Sequence, residues 1–157
     1  MLVVGCGCRG RALATALRER AHQVRGTTRS EEGLDAIRAV GADALVADPD
    51  RLGTLLPALA GTSAICWLMG TASGDTAAAV HGPRLRSLLE RLVDTPVRGF
   101  VYEAAGTVAP EALAAGAAAV REAAATWRMP VAVVEADPAG RDGWLRAMTA
   151  AVAQVLA

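Results

Sequence analysis

The 157-residue sequence contains no lysine, and all 16 of its basic side chains are arginines. Catalysis through a lysine Schiff base or a lysine general base is therefore excluded. Sixteen acidic residues balance the arginines, so the formal net charge is zero. Because no overall positive field attracts nucleic acid or an anionic membrane, we expect neither as a partner.

Cysteines and long apolar runs are also scarce. The sequence has three cysteines, and two of them, Cys6 and Cys8, share one glycine-rich turn. This odd number indicates a reducing compartment rather than a disulfide framework. Two cysteines do not supply the ligands of a zinc site, so no metal is expected. No apolar run approaches the roughly 18 residues of a transmembrane helix and the chain opens directly on a strand, which predicts a cytoplasmic protein.

The chain begins with a short apolar run that enters a Gly-x-Gly-x-x-Gly turn and continues as a helix rich in alanine and leucine. In a dinucleotide-binding unit, Gly5 would permit the tight turn, Gly7 would bring bare backbone close to a pyrophosphate, and Gly10 would let the helix pack on the strand. The amides of Cys8 and Arg9 would face anionic oxygens at the helix N-terminus. The turn therefore predicts a dinucleotide site, although such turns also occur simply to link a strand to a helix.

The end of the second predicted strand carries Thr28 and Arg29. In a dinucleotide fold this strand end meets the adenosine ribose, where an acidic residue bonds the 2'-hydroxyl of NAD and an arginine accommodates the 2'-phosphate of NADP. Arg29 lies about 20 residues beyond the glycine turn, as that geometry requires. No acidic residue precedes it at the strand end, so the sequence favours NADP over NAD. A solvated loop arginine is the alternative interpretation.

Apolar segments alternate with helical patterns along the whole chain. This alternation predicts an α/β fold with a single Rossmann-like, doubly wound parallel sheet of six strands in the order 3-2-1-4-5-6, and one domain over residues 1–157. The predicted strands are 2–4, 23–27, 44–47, 64–69, 99–103 and 131–134. The predicted helices are 9–21, 31–40, 51–60, 83–93, 110–128 and one from residue 143 or 144 onward.

With this order of elements the sequence resembles the short-chain dehydrogenase/reductase superfamily, and within it the atypical and extended branch of NmrA-like and epimerase-like NAD(P)-binding proteins. The resemblance extends over nearly the whole chain. It implies that Asp48 contacts the adenine, with a turn role before Pro49 as the alternative, and that the backbone of Leu68 and Met69 lies along the cofactor ribose. It also implies a homodimer through the helices after strands four and five. The stretches that carry it are 4–10, 26–30, 47–48, 99–102 and 129–134.

The sequence departs from this family where the family's acid–base residues belong. The family uses a serine or threonine after strand five and a Tyr-x-x-x-Lys pair on the next helix. The serine position falls at Ala104 or Ala105, the tyrosine position near Leu113 and the lysine position near Ala117. The only tyrosine, Tyr102, lies inside strand five. We therefore predict no catalytic residue, and an NADP(H)-binding protein that acts as a redox sensor or regulatory module.

Two other functions stay open at this point. One is an NAD(P)-dependent oxidoreductase or epimerase-like enzyme that uses non-standard groups such as Glu103, His81 or Thr107. The other is an interaction scaffold that binds no cofactor. The predicted cofactor contacts are Gly5, Cys6, Gly7, Cys8, Arg9, Gly10, Thr28, Arg29, Asp48, Leu68 and Met69.

Overall fold

Alternating strands and helices build one six-stranded sheet in the computed structural model, which describes residues 1–157. All neighbouring strands are parallel, and their order is β3-β2-β1-β4-β5-β6. The predicted fold class and strand order are confirmed. The strands are β1 (Leu2–Val4), β2 (Arg25–Thr28), β3 (Asp43–Val46), β4 (Ala64–Trp67), β5 (Gly99–Glu103) and β6 (Val131–Val134).

Six α-helices cover the two faces of the sheet. No helix combines the length and the apolar character needed to cross a bilayer. Several short connections form 3₁₀ turns instead of α-helices. The helices are α1 (Cys8–Arg18), α2 (Leu34–Ala39), α3 (Ala77–His81), α4 (Pro83–Leu92), α5 (Pro110–Trp127) and α6 (Arg141–Leu156).

Alternate residues of the central strands enter two separate cores. In β1, Val3 packs in the core that includes residues of α1 and α6, whereas Leu2 packs in the core that includes residues of α4 and α5. In β5, Val101 belongs to the first core and Tyr102 to the second. Because side chains alternate along a strand, Glu103 lies on the side of Val101, facing α1 and α6.

Two predicted helices are wrong in type or extent. The expected helix over residues 51–60 is two 3₁₀ turns, Leu52–Thr54 and Leu56–Leu59. Pro57 lacks an amide hydrogen and its ring crowds the preceding turn, so a continuous α-helical ladder does not form there. The expected helix over residues 31–40 begins as a 3₁₀ turn and becomes α-helical only in α2. Helix α3 forms in a segment for which the sequence predicted no helix.

Two glycines inside helices give opposite predictions for the same substitution. A methyl group on Gly116 would collide with the hydroxyl of Tyr102, whereas a methyl group on Gly143 meets no atom within 4 Å. Overpacking makes Gly116→Ala lower the free energy of unfolding by about 1–3 kcal/mol. Gly143→Ala raises it by up to about 1 kcal/mol, since alanine is the better helix former. Chemical denaturation of both variants measures the difference, and shifts of the same sign would contradict the packing of α5 on β5.

Candidate functional site

The three glycines of the first turn have three different surroundings. Gly5 follows β1 with a left-handed φ of +82°, and a methyl group there would lie 2.6 Å from the Leu68 carbonyl oxygen. A methyl group on Gly10 would lie 2.9 Å from the Gly5 carbonyl oxygen. These two glycines allow the turn and the helix to pack closely. Gly7 has no atom within 4 Å of a methyl group built on it. The missing side chain of Gly7 therefore leaves room for a ligand rather than for the protein.

The backbone amides of this turn fall into two groups. The Cys6 amide donates to the Thr27 carbonyl at 2.9 Å, so it is used within the protein. The amides of Cys8, Arg9 and Gly10 open α1, where no residue of the preceding turn accepts from them and no side chain caps the helix. Such free N–H groups, together with the helix dipole, favour an anion.

A cavity of about 300 Å³ opens beside the glycine turn, at the carboxyl ends of β1 to β4. It brings together eight of the eleven predicted contacts: Gly5, Cys6, Gly7, Thr28, Arg29, Asp48, Leu68 and Met69. Cys8, Arg9 and Gly10 do not belong to its lining. Thr71, Ser73 and Thr76, in the segment between β4 and α3, add hydroxyl groups to the lining. The polar loop of residues 70–75 is where the sequence indicates a crevice-lining loop, whereas Thr76 was missed.

The charged groups of the cavity are two arginines and one carboxylate. Arg29 is exposed, Arg11 is half-buried, and neither forms an ion pair. The carboxylate of Asp48 accepts a bond from the Asp50 amide at 3.0 Å, so the alternative turn role of Asp48 is present as well. The excess of positive charge favours an anionic ligand. Arg11 was missed, although it lies in the first turn of α1, four residues after Gly7.

The side chain of Arg9 turns away from the cavity to a buried carboxylate. Its Nη2 donates to Oε1 and Oε2 of Glu103 at 3.0 and 3.2 Å, and its guanidinium lies 5.6 Å from the ring centre of Trp144. Glu103 is fully buried and also accepts from Trp144 Nε1 at 3.0 Å and from the Gly70 amide at 2.9 Å. Burial raises the pKa of the Glu103 carboxyl, and Arg9 opposes that rise. Glu103 therefore joins the loops of the sheet edge and does not face the cavity.

A second buried polar pair lies on the opposite side of the sheet. His81 is 1% exposed; its Nε2 lies 2.9 Å from the Met69 carbonyl oxygen and its Nδ1 lies 2.6 Å from the Tyr102 hydroxyl. A carbonyl only accepts, so Nε2 carries the proton, and Nδ1 accepts from the hydroxyl. Burial lowers the pKa of His81 and raises that of Tyr102. Neither side chain lines the cavity, and neither does Thr107.

No protein-family model and no curated protein matches the sequence. Solved structures do match the fold. UDP-glucose 4-epimerase from Thermotoga maritima, solved with UDP-glucose, is 14% identical with a TM-score of 0.69, over 85% of this chain and 54% of that one. UDP-glucuronic acid 4-epimerase from Bacillus cereus, solved with NAD, is 14% identical with a TM-score of 0.65, over 85% and 55%. Triphenylmethane reductase from Citrobacter sp., solved with NADP(H), is 18% identical with a TM-score of 0.65, over 85% and 48%.

The chain has the fold of these epimerases and reductases. The resemblance seen in the sequence is thereby confirmed at the level of the fold. The chain spans about half the length of the three proteins. The predicted cofactor contacts stay predictions, because a shared fold at this identity does not assign a ligand.

The buried imidazole of His81 predicts a specific pH dependence of stability. Its pKa in the folded protein lies below the ordinary 6.5 because burial disfavours the imidazolium. The unfolded chain therefore takes up a proton at a higher pH than the folded chain, and the free energy of unfolding falls as the pH drops below about 6.5. One proton gives a slope of at most about 1.4 kcal/mol per pH unit.

The variant His81→Gln removes this titration. We expect its free energy of unfolding to fall less steeply than that of the parent between pH 7 and 5, as measured by urea denaturation at each pH. Taking the difference between the two proteins cancels the contribution of the buried Glu103, which has the opposite sign. Parallel curves for the two proteins would show that His81 is not held neutral by the fold.

Proposed function

We propose that this chain binds NADP(H) in the cavity beside the glycine turn and acts as a regulatory module without the acid–base catalysis of the family that it resembles. One observation carries the proposal: a cavity with the bare backbone of Gly7 on its wall is flanked by Arg11 and Arg29, which no acid neutralises. A phosphorylated ligand is the anion that suits a glycine turn in this position.

The residues of the cavity fit the adenosine diphosphate part of the dinucleotide. The pyrophosphate would lie against Gly7 and the start of α1. The 2'-phosphate would lie at the end of β2, where Arg29 is free of ion pairs, and the adenine at the end of β3 beside Asp48. When bound, the cofactor supplies a nicotinamide ring that gives or takes a hydride. The chain's own groups supply the anion site.

The groups near the expected reaction centre support binding without catalysis. Leu113 and Ala117, at the family's tyrosine and lysine positions, are buried hydrocarbon. The alternative of an enzyme with non-standard residues would need Glu103, His81 or Thr107 at the ligand, and none of these lines the cavity.

The assembly and the location of the protein belong to the same proposal. A homodimer through α4 and α5 would cover two exposed apolar side chains, Val93 just after α4 and Trp127 at the end of α5. All three cysteines are free thiols, which supports a reducing, cytoplasmic compartment.

Replacing Arg29 tests the preference for NADP. Arg29→Ala removes a charge-assisted contact to the 2'-phosphate, which is worth about 1.5–3 kcal/mol. We expect the Kd for NADPH to rise about 10-fold or more, with the Kd for NADH changed less than threefold, in titration calorimetry. Arg91→Ala replaces an exposed arginine of α4 that does not line the cavity; it is the matched control and changes neither Kd. An equal loss for both cofactors would overturn the assignment of Arg29.

Replacing Gly7 tests the site itself. Gly7→Ala places a methyl group where no protein atom lies within 4 Å, so the thermal midpoint stays within about 2 °C of the parent while binding of both NADPH and NADH falls at least about 10-fold. Gly53→Ala, also free of neighbours within 4 Å but outside the cavity, keeps full binding. If neither cofactor binds the parent protein, the scaffold function replaces this proposal.

A further inference from the structure

The cavity occupies the part of the crevice above β1 to β4 and does not reach the loops after β5 and β6. All of its lining residues lie between Gly5 and Val80, that is, from the end of β1 to the segment after β4. In a doubly wound sheet the first mononucleotide half is built on β1 to β3 and the second on β4 to β6, and a dinucleotide spans the switch between β1 and β4. The cavity therefore covers the first half and extends across the switch to the segment after β4, but no residue that follows β5 or β6 lines it. Its volume of about 300 Å³ lies at the lower end of ligand-pocket volumes.

The loops after β4 and β5 close the second half by direct backbone contact. A methyl group on Gly70 would collide with the carbonyl of Ala105, and one on Gly106 would collide with the carbonyl of Gly70. The Val108 amide donates to the same Gly70 carbonyl at 3.0 Å. The backbones of these two loops are therefore in contact at the point where a dinucleotide would pass from the first half of the crevice to the second.

A separate depression lies on the far side of this contact. It is lined by Ala104, Leu113 and Ala117, among others. These residues lie at or near the positions that the resemblance gives for the family's serine, tyrosine and lysine. It shares no residue with the cavity beside the glycine turn. A nicotinamide ring in this depression could therefore not belong to a dinucleotide whose pyrophosphate is bound in the cavity beside the glycine turn.

The buried carboxylate of Glu103 holds the closed loop in place. It accepts the Gly70 amide at 2.9 Å, and its partner Arg9 also donates to Thr71 Oγ1 at 3.3 Å. Both bonds end in the loop that follows β4. Because a buried carboxylate that loses a donor is left under-compensated, the bond from the Gly70 amide ties this loop to the end of β5 more firmly than an exposed backbone bond would.

From this juxtaposition we infer that the site takes the adenosine half of its ligand only: an adenine nucleotide with phosphates on the 2' and 5' positions, free or as part of NADP(H), whose nicotinamide half stays in solvent. This inference rests on the proposed function. It also determines whether the protein responds to the redox state of the cofactor or to its total concentration. A site that does not touch the nicotinamide does not distinguish NADP⁺ from NADPH, so the protein responds to the total amount of the cofactor and not to its redox state.

Titration calorimetry with four ligands tests the inference. 2'-Phospho-ADP-ribose, which keeps the pyrophosphate but has no nicotinamide, NADP⁺ and NADPH are expected to bind with Kd values within about threefold of one another, and nicotinamide mononucleotide is expected not to bind. A Kd for either dinucleotide more than threefold lower than that of 2'-phospho-ADP-ribose would overturn the inference and leave the proposed function standing, as would a difference of more than threefold between NADP⁺ and NADPH. Failure of all adenine ligands to bind would overturn both.

Fluorescence of the reduced nicotinamide gives a second, independent readout. The protein is added in excess so that all NADPH is bound, and the reduced nicotinamide is excited directly. Its emission maximum and its quenching by acrylamide are expected to match those of free NADPH, since the ring stays in water. Blue-shifted emission that is protected from acrylamide would show the ring inside the protein and overturn the inference. Gly7→Ala serves as the unbound reference, because it removes the phosphate contact.

Discussion

The ion pair between Glu103 and Arg9 is the constraint on which the arrangement of helices and loops at the carboxyl end of β5 depends. A carboxylate that is fully buried must be compensated, and Glu103 is compensated by a guanidinium, an indole N–H and a backbone amide. These donors come from α1, from α6 and from the loop after β4. One charged oxygen pair thereby fixes three elements relative to the end of β5.

Because the Arg9 side chain is bonded to Glu103, it is not available to a ligand at the glycine turn. The side chain of Arg9 stacks over Trp144 and leaves only its backbone amide at the helix N-terminus. The positive charge beside the cavity comes instead from Arg11 and Arg29, which stand without acidic partners. Gly5 and Gly10 allow close packing within the protein, whereas the missing side chain of Gly7 leaves open space beside the cavity.

The fold was predictable from the sequence because its signals are local. β5 and β6 are apolar runs with sharp ends, and their bounds match the prediction residue for residue. The strand order follows from the alternation of strands and helices and from the handedness of their crossovers. Pro57 shows the limit of such signals: the sequence predicted a helix over residues 51–60 with irregular first turns at Pro57, whereas the structure forms only two 3₁₀ turns there.

The site was less predictable because its decisive contacts join distant residues. Arg9 and Glu103 are 94 positions apart, and no spacing rule links them. The sequence assigned Arg9 to the cofactor through its amide and offered Glu103 as a non-standard catalytic group of an alternative enzyme, whereas the fold pairs their side chains. Trp144 reaches Glu103 in the same way, because the fold packs α6 against β5 and α1.

The contact between the loops after β4 and β5 is consistent with the apolar residues at the positions expected for the family's proton donors. A hydride-transferring site needs the nicotinamide ring and an acid or base in the same water-excluded space. Here the contact between Gly70 and Gly106 separates the cavity from the family's catalytic positions, where Leu113 and Ala117 are hydrocarbon. Under the proposed function, a proton donor at Leu113 or Ala117 would lie outside the cavity and would not reach the ligand. The proposed phosphate contacts at Gly7, Arg11 and Arg29 involve neither residue, so binding would not depend on the positions that the family uses for catalysis.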